Sequence, residues 1–277
     1  MEYKIGNLRL KNKILLAPML EPSDIAFRLL CKKAGCGLTY TGMVSPLSKQ
    51  KMFLDDKPAV QLFGNSVKGI KSFIKKYDSE VSLWDFNLGC PSKLSKRFGH
   101  GGCLDDVDVI VEIVKVMRNS TDKPVTIKLR KSEKAIEIAR RCEEFVDAIG
   151  IHARSVGQGY SGEVDYDFAL SVKRAVKCPV IFSGVNDLGE VDSILEDFDF
   201  VMLGRLAIGN PGIFSGKTIG FGEYLKLAKK YGLLFRQVKF QAMNFTKGFN
   251  GARELRGKLI DYKNIKDLES AMGSQAA

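Results

Sequence analysis

Short apolar runs recur along the first three quarters of the chain. They are Ile14–Met19, Leu38–Val44, Ala59–Gly64, Leu83–Gly89, Val125–Arg130, Ala148–Ala153, Val180–Val185 and Phe200–Arg205. They are rich in Val, Ile, Leu, Phe and Tyr, and most end in glycine or a polar residue, as strands buried on both faces do. Helical patterns lie between most of them. Ser23 precedes a stretch with Ile25, Leu29 and Leu30 on one face, and its hydroxyl suits the capping of that helix's free amides. Ser66 stands in the same relation to Val67, Ile70 and Ile74, and Ser132 to Ala135–Phe145. Asp105–Met117, Asp165–Val176 and Leu188–Leu195 complete the set. Eight strands alternating with helices predict an α/β fold, a closed parallel (β/α)8 TIM barrel. A doubly wound open sheet would place a glycine-rich turn straight after its first strand. Here that strand ends Ala17-Pro18-Met19-Leu20-Glu21-Pro22, and neither GxGxxG nor GxxxxGK[ST] occurs.

After Gly216 the pattern becomes purely helical: Phe221–Lys230, Leu233–Lys247, Gly251–Leu259 and Ile265–Met272, punctuated by Gly232, Gly248 and an Asp261–Asn264 turn. The chain therefore divides into a barrel domain, 1–216, and a small all-helical domain, 217–277, with Gly273–Ala277 as a frayed end.

Charge sharpens this division. The formal net charge is +11, and residues 217–277 hold 12 Lys/Arg against 5 Asp/Glu, a net of +7. That asymmetry points to a polyanion, either nucleic acid or an anionic membrane, unless it is a solvated basic face. No apolar run is long enough to span a bilayer; Ile14–Leu20 is broken by Pro18 and followed by no cleavage pattern, so a cytoplasmic location is expected. The six cysteines include no CxxC, and there are only two histidines. Neither a disulfide framework nor a zinc site is predicted. Nothing implies a protein partner.

In such a barrel the chemistry sits at the C-terminal ends of the strands. Those ends carry Pro18 and Met19, Gln61 and Phe63, Asn87 to Cys90, Lys128 and Arg130, His152 and Arg154, Ser183 and Gly184, and Gly204 and Arg205. Ser183-Gly184 and Gly204-Arg205, on the last two strands, fit a phosphate site: glycine lets the backbone approach and arginine matches the charge. Lys128 is suited to a Schiff base or a fixed cation in the mouth, or else snorkels to solvent. Cys90, between Gly89 and Pro91, is a candidate nucleophile or general acid. Cys31, Cys36, Cys142 and Cys178 read as buried and inert, and Cys103 fits either description. Gly99-His100-Gly101-Gly102-Cys103 is either a lid over the site or a long turn.

These residues occur in motifs that resemble the tRNA-dihydrouridine synthase family. The motifs are Asn87-Leu-Gly-Cys-Pro-Ser with Gly101-Gly-Cys-Leu, Leu16-Ala-Pro-Met19, Val60-Gln-Leu-Phe-Gly64 and Val125-Thr-Ile-Lys-Leu-Arg130. Ile151-His-Ala-Arg154 follows, with Gln158-Gly-Tyr-Ser-Gly162 and Val201-Met-Leu-Gly-Arg205 leading to Gly209-Asn-Pro-Gly-Ile-Phe214. Lys247-Gly-Phe-Asn-Gly-Ala-Arg-Glu-Leu-Arg256 resembles the family's helical C-terminal domain. The ordered set covers nearly the whole chain. The resemblance implies a TIM-barrel enzyme that uses FMN, with NADPH or NADH as reductant, to reduce uridine in tRNA to 5,6-dihydrouridine. It implies that Pro18, Met19, Gln61, Lys128, His152, Ser183, Gly184, Gly204 and Arg205 hold FMN, with Lys128 near the flavin pyrimidine. Cys90 would be the general acid and Asn87 would contact the uracil. Arg154, Gln158 and Tyr160 would lie near the substrate. The tail would track the RNA backbone, with Arg236 and Lys239 among its contacts. Departures from the family pattern are Gly42 where a glutamate usually follows Thr41, Ser183 in place of asparagine, and Tyr166 in place of tryptophan.

Three other readings share some of these features. A dihydroorotate or dihydropyrimidine dehydrogenase acting on a free pyrimidine would have the same barrel and Asn-x-x-Cys-Pro loop, without need of a basic tail. A flavin-free aldolase would use Lys128 as a Schiff base. A catalytically silent RNA-binding protein would not need Cys90.

Overall fold

The computed structural model describes residues 2–273. The chain opens with an antiparallel hairpin, β1 (Tyr3–Ile5) and β2 (Leu8–Leu10), registered Tyr3 to Leu10. Ile5 and Leu10 pack with Leu15, Tyr40, Leu83, Ala148, Ile181 and Met202, so the hairpin plugs the end of the barrel away from the mouth. This hairpin is not among the elements predicted from the apolar runs.

Seven parallel strands form the barrel sheet: β3 (Ile14–Leu16), β4 (Ala59–Leu62), β5 (Leu83–Leu88), β6 (Val125–Lys131), β7 (Ala148–Ser155), β8 (Val180–Ser183) and β9 (Phe200–Leu203). Their order is β3-β9-β8-β7-β6-β5-β4. The predicted second strand is not a regular one. Residues 38–44 nevertheless close the barrel between β3 and β4. Leu16 N–H donates to Leu38 O at 3.0 Å, Thr41 N–H to Ala59 O at 3.0 Å and Val44 N–H to Gln61 O at 2.8 Å. Tyr40 and Val44 each form an isolated bridge to β4. Gly42 interrupts the pleat. A Cβ there would lie 2.9 Å from Leu20 Cα and 3.0 Å from Met19 O, because this stave leans on the loop after β3. A glutamate at this position could not occupy the same backbone path.

The outer layer is α1 (Ile25–Lys33), α2 (Ile70–Tyr77), α3 (Lys93–Phe98), α4 (Val107–Arg118), α5 (Ala135–Cys142), α6 (Tyr166–Ala175) and α7 (Val191–Asp197). The apolar faces of α2 and α4–α7, such as Ile110, Ile113, Val114 and Met117 of α4, pack on the outward faces of the strands in one core. Three caps differ from expectation. Asp24, not Ser23, caps α1, accepting from Phe27 N–H at 3.0 Å; Ser23 Oγ instead accepts from Met19 N–H at 3.2 Å and ties down the loop after β3. Helix α2 starts after Gly69, and α5 after Lys134, so Ser66 and Ser132 cap neither. The six-residue α3, capped by Ser92, was not predicted.

Four helices follow: α8 (Phe221–Lys230), α9 (Phe235–Phe245), α10 (Ala252–Asp261) and α11 (Ile265–Gly273). They share a second apolar core with α1, through Ile25, Phe27, Leu30, Tyr224, Leu225, Val238, Leu259 and Leu268. A buried polar cluster joins the same elements. Asp24 Oδ2 accepts from Tyr224 Oη at 3.2 Å and Gln241 Nε2 at 3.0 Å, and Gln241 Nε2 also donates to Pro22 O at 2.9 Å. Gly273 ends α11, and the rest of the expected frayed end lies outside the described residues.

Candidate active site

A cavity of about 440 Å³ opens at the C-terminal ends of the strands. Twelve of the expected residues line it: Pro18, Met19, Gln61, Asn87, Cys90, Lys128, His152, Tyr160, Ser183, Gly184, Gly204 and Arg205. They come from almost every stave, which is what inward alternation at the top of a barrel delivers.

The floor on one side is a hydrogen-bonded chain. Thr126 Oγ1 donates to Asp85 Oδ1 at 2.6 Å and Gln61 Nε2 to Asp85 Oδ2 at 2.7 Å. Asn87 Nδ2 donates to Gln61 Oε1 at 2.6 Å. Asn87 Oδ1 then accepts the backbone N–H of Cys90 at 2.9 Å and of Gly89 at 3.2 Å, which fixes the turn carrying the thiol. Asp85 was absent from the expected set. Burial pushes its pKa up to about 6, against the bonds from Thr126 and Gln61 that favour the carboxylate. Lys128 projects into the cavity from the next strand. Gly150 stands beside it on β7, where a Cβ would come within 3.1 Å of the Lys128 stem. Burial, with the neighbouring Arg130, lowers the Lys128 pKa to about 8.

The glycine-rich segment is a clamp, not a lid. Gly101–Cys103 forms one helical turn packed on the Cys90 loop, with Gly102 N–H donating to Cys90 O at 3.0 Å. Gly101 has φ +60°, and a Cβ there would press on Cys90 Cβ at 3.0 Å. His100 packs on Phe63 with the rings tilted by 52° and centroids 4.7 Å apart.

The opposite wall is cationic. His152 sits between two guanidinium groups, Arg130 Nη2 at 3.2 Å from Nδ1 and Arg154 Nη1 at 3.0 Å from Nε2. Burial and the surrounding charges of Lys128, Arg130, Arg154 and Arg205 push its pKa down to about 2, so the imidazole is neutral at working pH. The guanidinium groups otherwise donate to uncharged oxygens: Arg130 to Gly89, Ser155 and Gly159 O, Arg154 to Gly162 O and Asn186 Oδ1, Arg205 to Tyr160 O. No carboxylate is among these acceptors; Glu163 offsets part of the charge at Arg154, and the rest is left over for an anion. Gly184, at φ +125°, must be glycine: a Cβ would meet His152 Cδ2 and Val164 Cγ2 at 3.0 Å each. Gly204 is different. A Cβ there would meet only Ala17 and Met19, at 3.5 and 3.8 Å, so the chain itself leaves room for a side chain at the cavity wall.

Four expected contacts lie elsewhere. Arg154 is buried behind His152, so it supports the wall without forming it. Gln158 closes its own loop, accepting from Ser155 N–H at 2.8 Å. Lys239 Nζ donates to the carbonyls of Ile260 and Tyr262 at the end of α10, which ties its half-buried side chain to that helix end. Arg236 is exposed, and its guanidinium lies 3.7 Å from Glu21 at the edge of the mouth.

The fold and sequence have relatives. Among solved structures, morphinone reductase matches with a TM-score of 0.58 at 12% identity, over 77% of this chain and 87% of that one. The old yellow enzyme homologue from Zymomonas mobilis matches with a TM-score of 0.58 at 9% identity, over 86% and 95%. At such identities the likeness concerns the barrel alone. Sequence relatives are nearer. The tRNA-dihydrouridine synthase B of Vibrio vulnificus is 33% identical over 89% of this chain and 93% of its own length. That of Escherichia coli K12 is 32% identical over 76% and 73%. The family model "Dihydrouridine synthase (Dus)" matches residues 15–262, from the first barrel strand to the end of α10. A match that runs through every stave and into the helical region, with the Asn87–Cys90 turn at the mouth, assigns this chain to the dihydrouridine synthase family.

Proposed function

We propose that this chain is a tRNA-dihydrouridine synthase that binds FMN, is reduced by NADPH or NADH, and acts on uridine in tRNA. The observation that carries the reading is the pairing, across one cavity, of a fixed cysteine turn with a cationic wall, with no carboxylate among the residues that line the cavity. The cavity volume of about 440 Å³ falls within the usual range for cofactor sites. The residues fit a flavin mononucleotide: Gly184, Gly204 and Arg205 suit its phosphate, and Gln61, Lys128 and His152 suit the polar edge of its ring system. Pro18 and Met19 supply apolar wall on the side of β3.

A bound, reduced flavin would supply the hydride chemistry, toward C6 of the uracil C5=C6 bond, which is conjugated to the C4 carbonyl. The chain's own residues do the rest. Asn87 orients the base. The Cys90 thiol gives its proton to C5, completing the single bond, and the thiolate regains a proton from solvent. Lys128, protonated below about pH 8, places a cation where negative charge gathers. The target nucleotide has to leave its stack to reach the mouth. Arg236 beside Glu21, and Lys247, whose ammonium reaches Ile208 O at 2.8 Å, put basic side chains of the helical region next to that mouth. We place the RNA-tracking unit in residues 217–277 accordingly, with Arg236 as a contact and Lys239 as a support.

The test is anaerobic. The reduced protein is mixed with tRNA lacking dihydrouridine, and return of the oxidised-flavin band is followed. Rapid reoxidation by this tRNA, and none by orotate, is expected. Reoxidation by orotate instead would make the protein a free-pyrimidine dehydrogenase. A protein that takes up no flavin would overturn the cofactor assignment.

A further inference from the structure

The chain of bonds in the cavity floor admits one direction only. At one end, two backbone N–H groups, of Gly89 and Cys90, require Asn87 Oδ1 as acceptor. Asn87 Nδ2 must then be the donor toward Gln61, which presents Oε1. Gln61 Nε2 is consequently the donor toward Asp85. At the far end stands a carboxylate, which in its ionised form only accepts. Both ends therefore demand the same orientation of the two amides between them. Register explains the layout: Gln61 of β4 lies opposite Asp85 of β5 and reaches along the strand to Asn87. Asp85 is 1% exposed, so protein donors and not solvent fill its lone pairs. Asp85 itself does not line the cavity, whereas Gln61 and Asn87 do.

We propose that Asp85 is a positioning residue: it sets the hydrogen-bond polarity of Gln61 and, through it, of Asn87, and so fixes which amide donors and acceptors the cavity wall presents beside Cys90. The consequence for turnover rests on the flavin and uridine reading above; the polarity itself does not. The ionised carboxylate is the acceptor at neutral pH, since burial raises its pKa only to about 6. The groups facing it are the hydroxyl of Thr126, the amide of Gln61, the ammonium of Lys128 and the phenol of Tyr40. None of these is a second carboxylate that would compete for the role.

The polarity predicts coupling between two residues that are not bonded to each other. Asn87→Asp keeps the acceptor for Cys90 but turns an acceptor toward Gln61. The Gln61 amide can then donate to Asp85 or to the introduced carboxylate, not to both, and one oxygen pair is left facing another. Adding Asp85→Asn resolves the conflict: the introduced amide accepts from Thr126 and donates to a reversed Gln61, which donates to the introduced carboxylate. The experiment is urea unfolding of the parent, both single variants and the double variant, all without flavin, followed by flavin titration of the folded ones. Asn87→Asp is expected to raise the unfolding equilibrium constant about a hundredfold, and the double variant to recover at least tenfold of it. The double variant, its Gln61 reversed, is expected to bind FMN at least tenfold more weakly than the parent. Independent costs, a single Asn87→Asp variant as stable as the parent, or a double variant that unfolds although the parent folds, would each overturn the proposal. So would parent-like FMN affinity in the double variant. Failure of the uridine reading would appear only in the reoxidation assay, because unfolding needs neither cofactor nor tRNA.

Discussion

Asp24 is one of the points at which the helical region is fastened to the barrel, and its removal has a calculable cost. Asp24→Ala removes the cap of α1, worth about 1 kcal/mol. It also strips the acceptor from Tyr224 Oη and from one N–H of Gln241, both buried. A buried donor left unpaired costs about 1–3 kcal/mol, and Gln241 keeps Pro22 O as a partner, which holds its share to the low end. Burial raises the Asp24 pKa, so losing the carboxylate returns part of the cost of burying its charge. The expected net loss is about 3 kcal/mol, a large part of the ~5–15 kcal/mol that holds a domain together. Urea unfolding reads it with two probes, fluorescence of Trp84, the only tryptophan, and far-ultraviolet ellipticity. Trp84 lies in the barrel core, and Ile213 and Phe214 pack against both that core and the one shared by α1 and the four last helices, so both probes are expected to shift together. The pH dependence has a definite sign. With its folded-state pKa raised, Asp24 makes the native state bind more protons than the unfolded chain. The parent's advantage over the variant therefore grows as pH falls from neutral toward 4. A loss under about 1 kcal/mol, or loss of helix with Trp84 unmoved, would refute this account of the junction.

Cys90→Ala is expected to lower dihydrouridine formation by at least about a hundredfold while flavin stays bound, measured by single turnover and by the visible absorbance of the purified protein. Gly184→Ala forces a side chain into φ +125° and onto His152, and should cost about 2–4 kcal/mol in urea unfolding and weaken flavin retention. Lys128 has a folded-state pKa lowered from 10.5 to about 8, so the parent should gain stability relative to Lys128→Met as pH rises from 8 to 10, by about 2 kcal/mol. Arg236→Ala should weaken tRNA binding and flatten the logarithmic salt slope by about 0.9, as loss of one phosphate contact does, whereas Lys239→Ala should leave the slope unchanged and lower the melting temperature.

The barrel was legible because strands buried on both faces read as unbroken apolar runs, and seven of the eight runs became regular strands. The eighth was legible as a stave but not as an irregular one, since its distortion comes from Gly42 leaning on residues from another loop. The first hairpin was missed although Tyr3-Lys-Ile, Gly6-Asn7 and Leu8-Arg-Leu show alternation about a two-residue turn. Helix α3 was missed for a different reason: six residues are too few to establish a period. At the site, strand ends located the cavity residues, but not the role of each side chain. Arg154 and Lys239 were expected at the substrate and here bond backbone carbonyls, which guanidinium and ammonium groups do as readily as they bond phosphates. Asp85 is the instructive omission. An acid inside a run that buries both faces has to be paired, and its position two residues before Asn87 puts it on the same inward face. Alternation alone thus placed a carboxylate beneath the cysteine turn. What it could not give is the neighbour on the adjacent strand, and that neighbour, Gln61, converts a buried charge into an orientation for the amides above it.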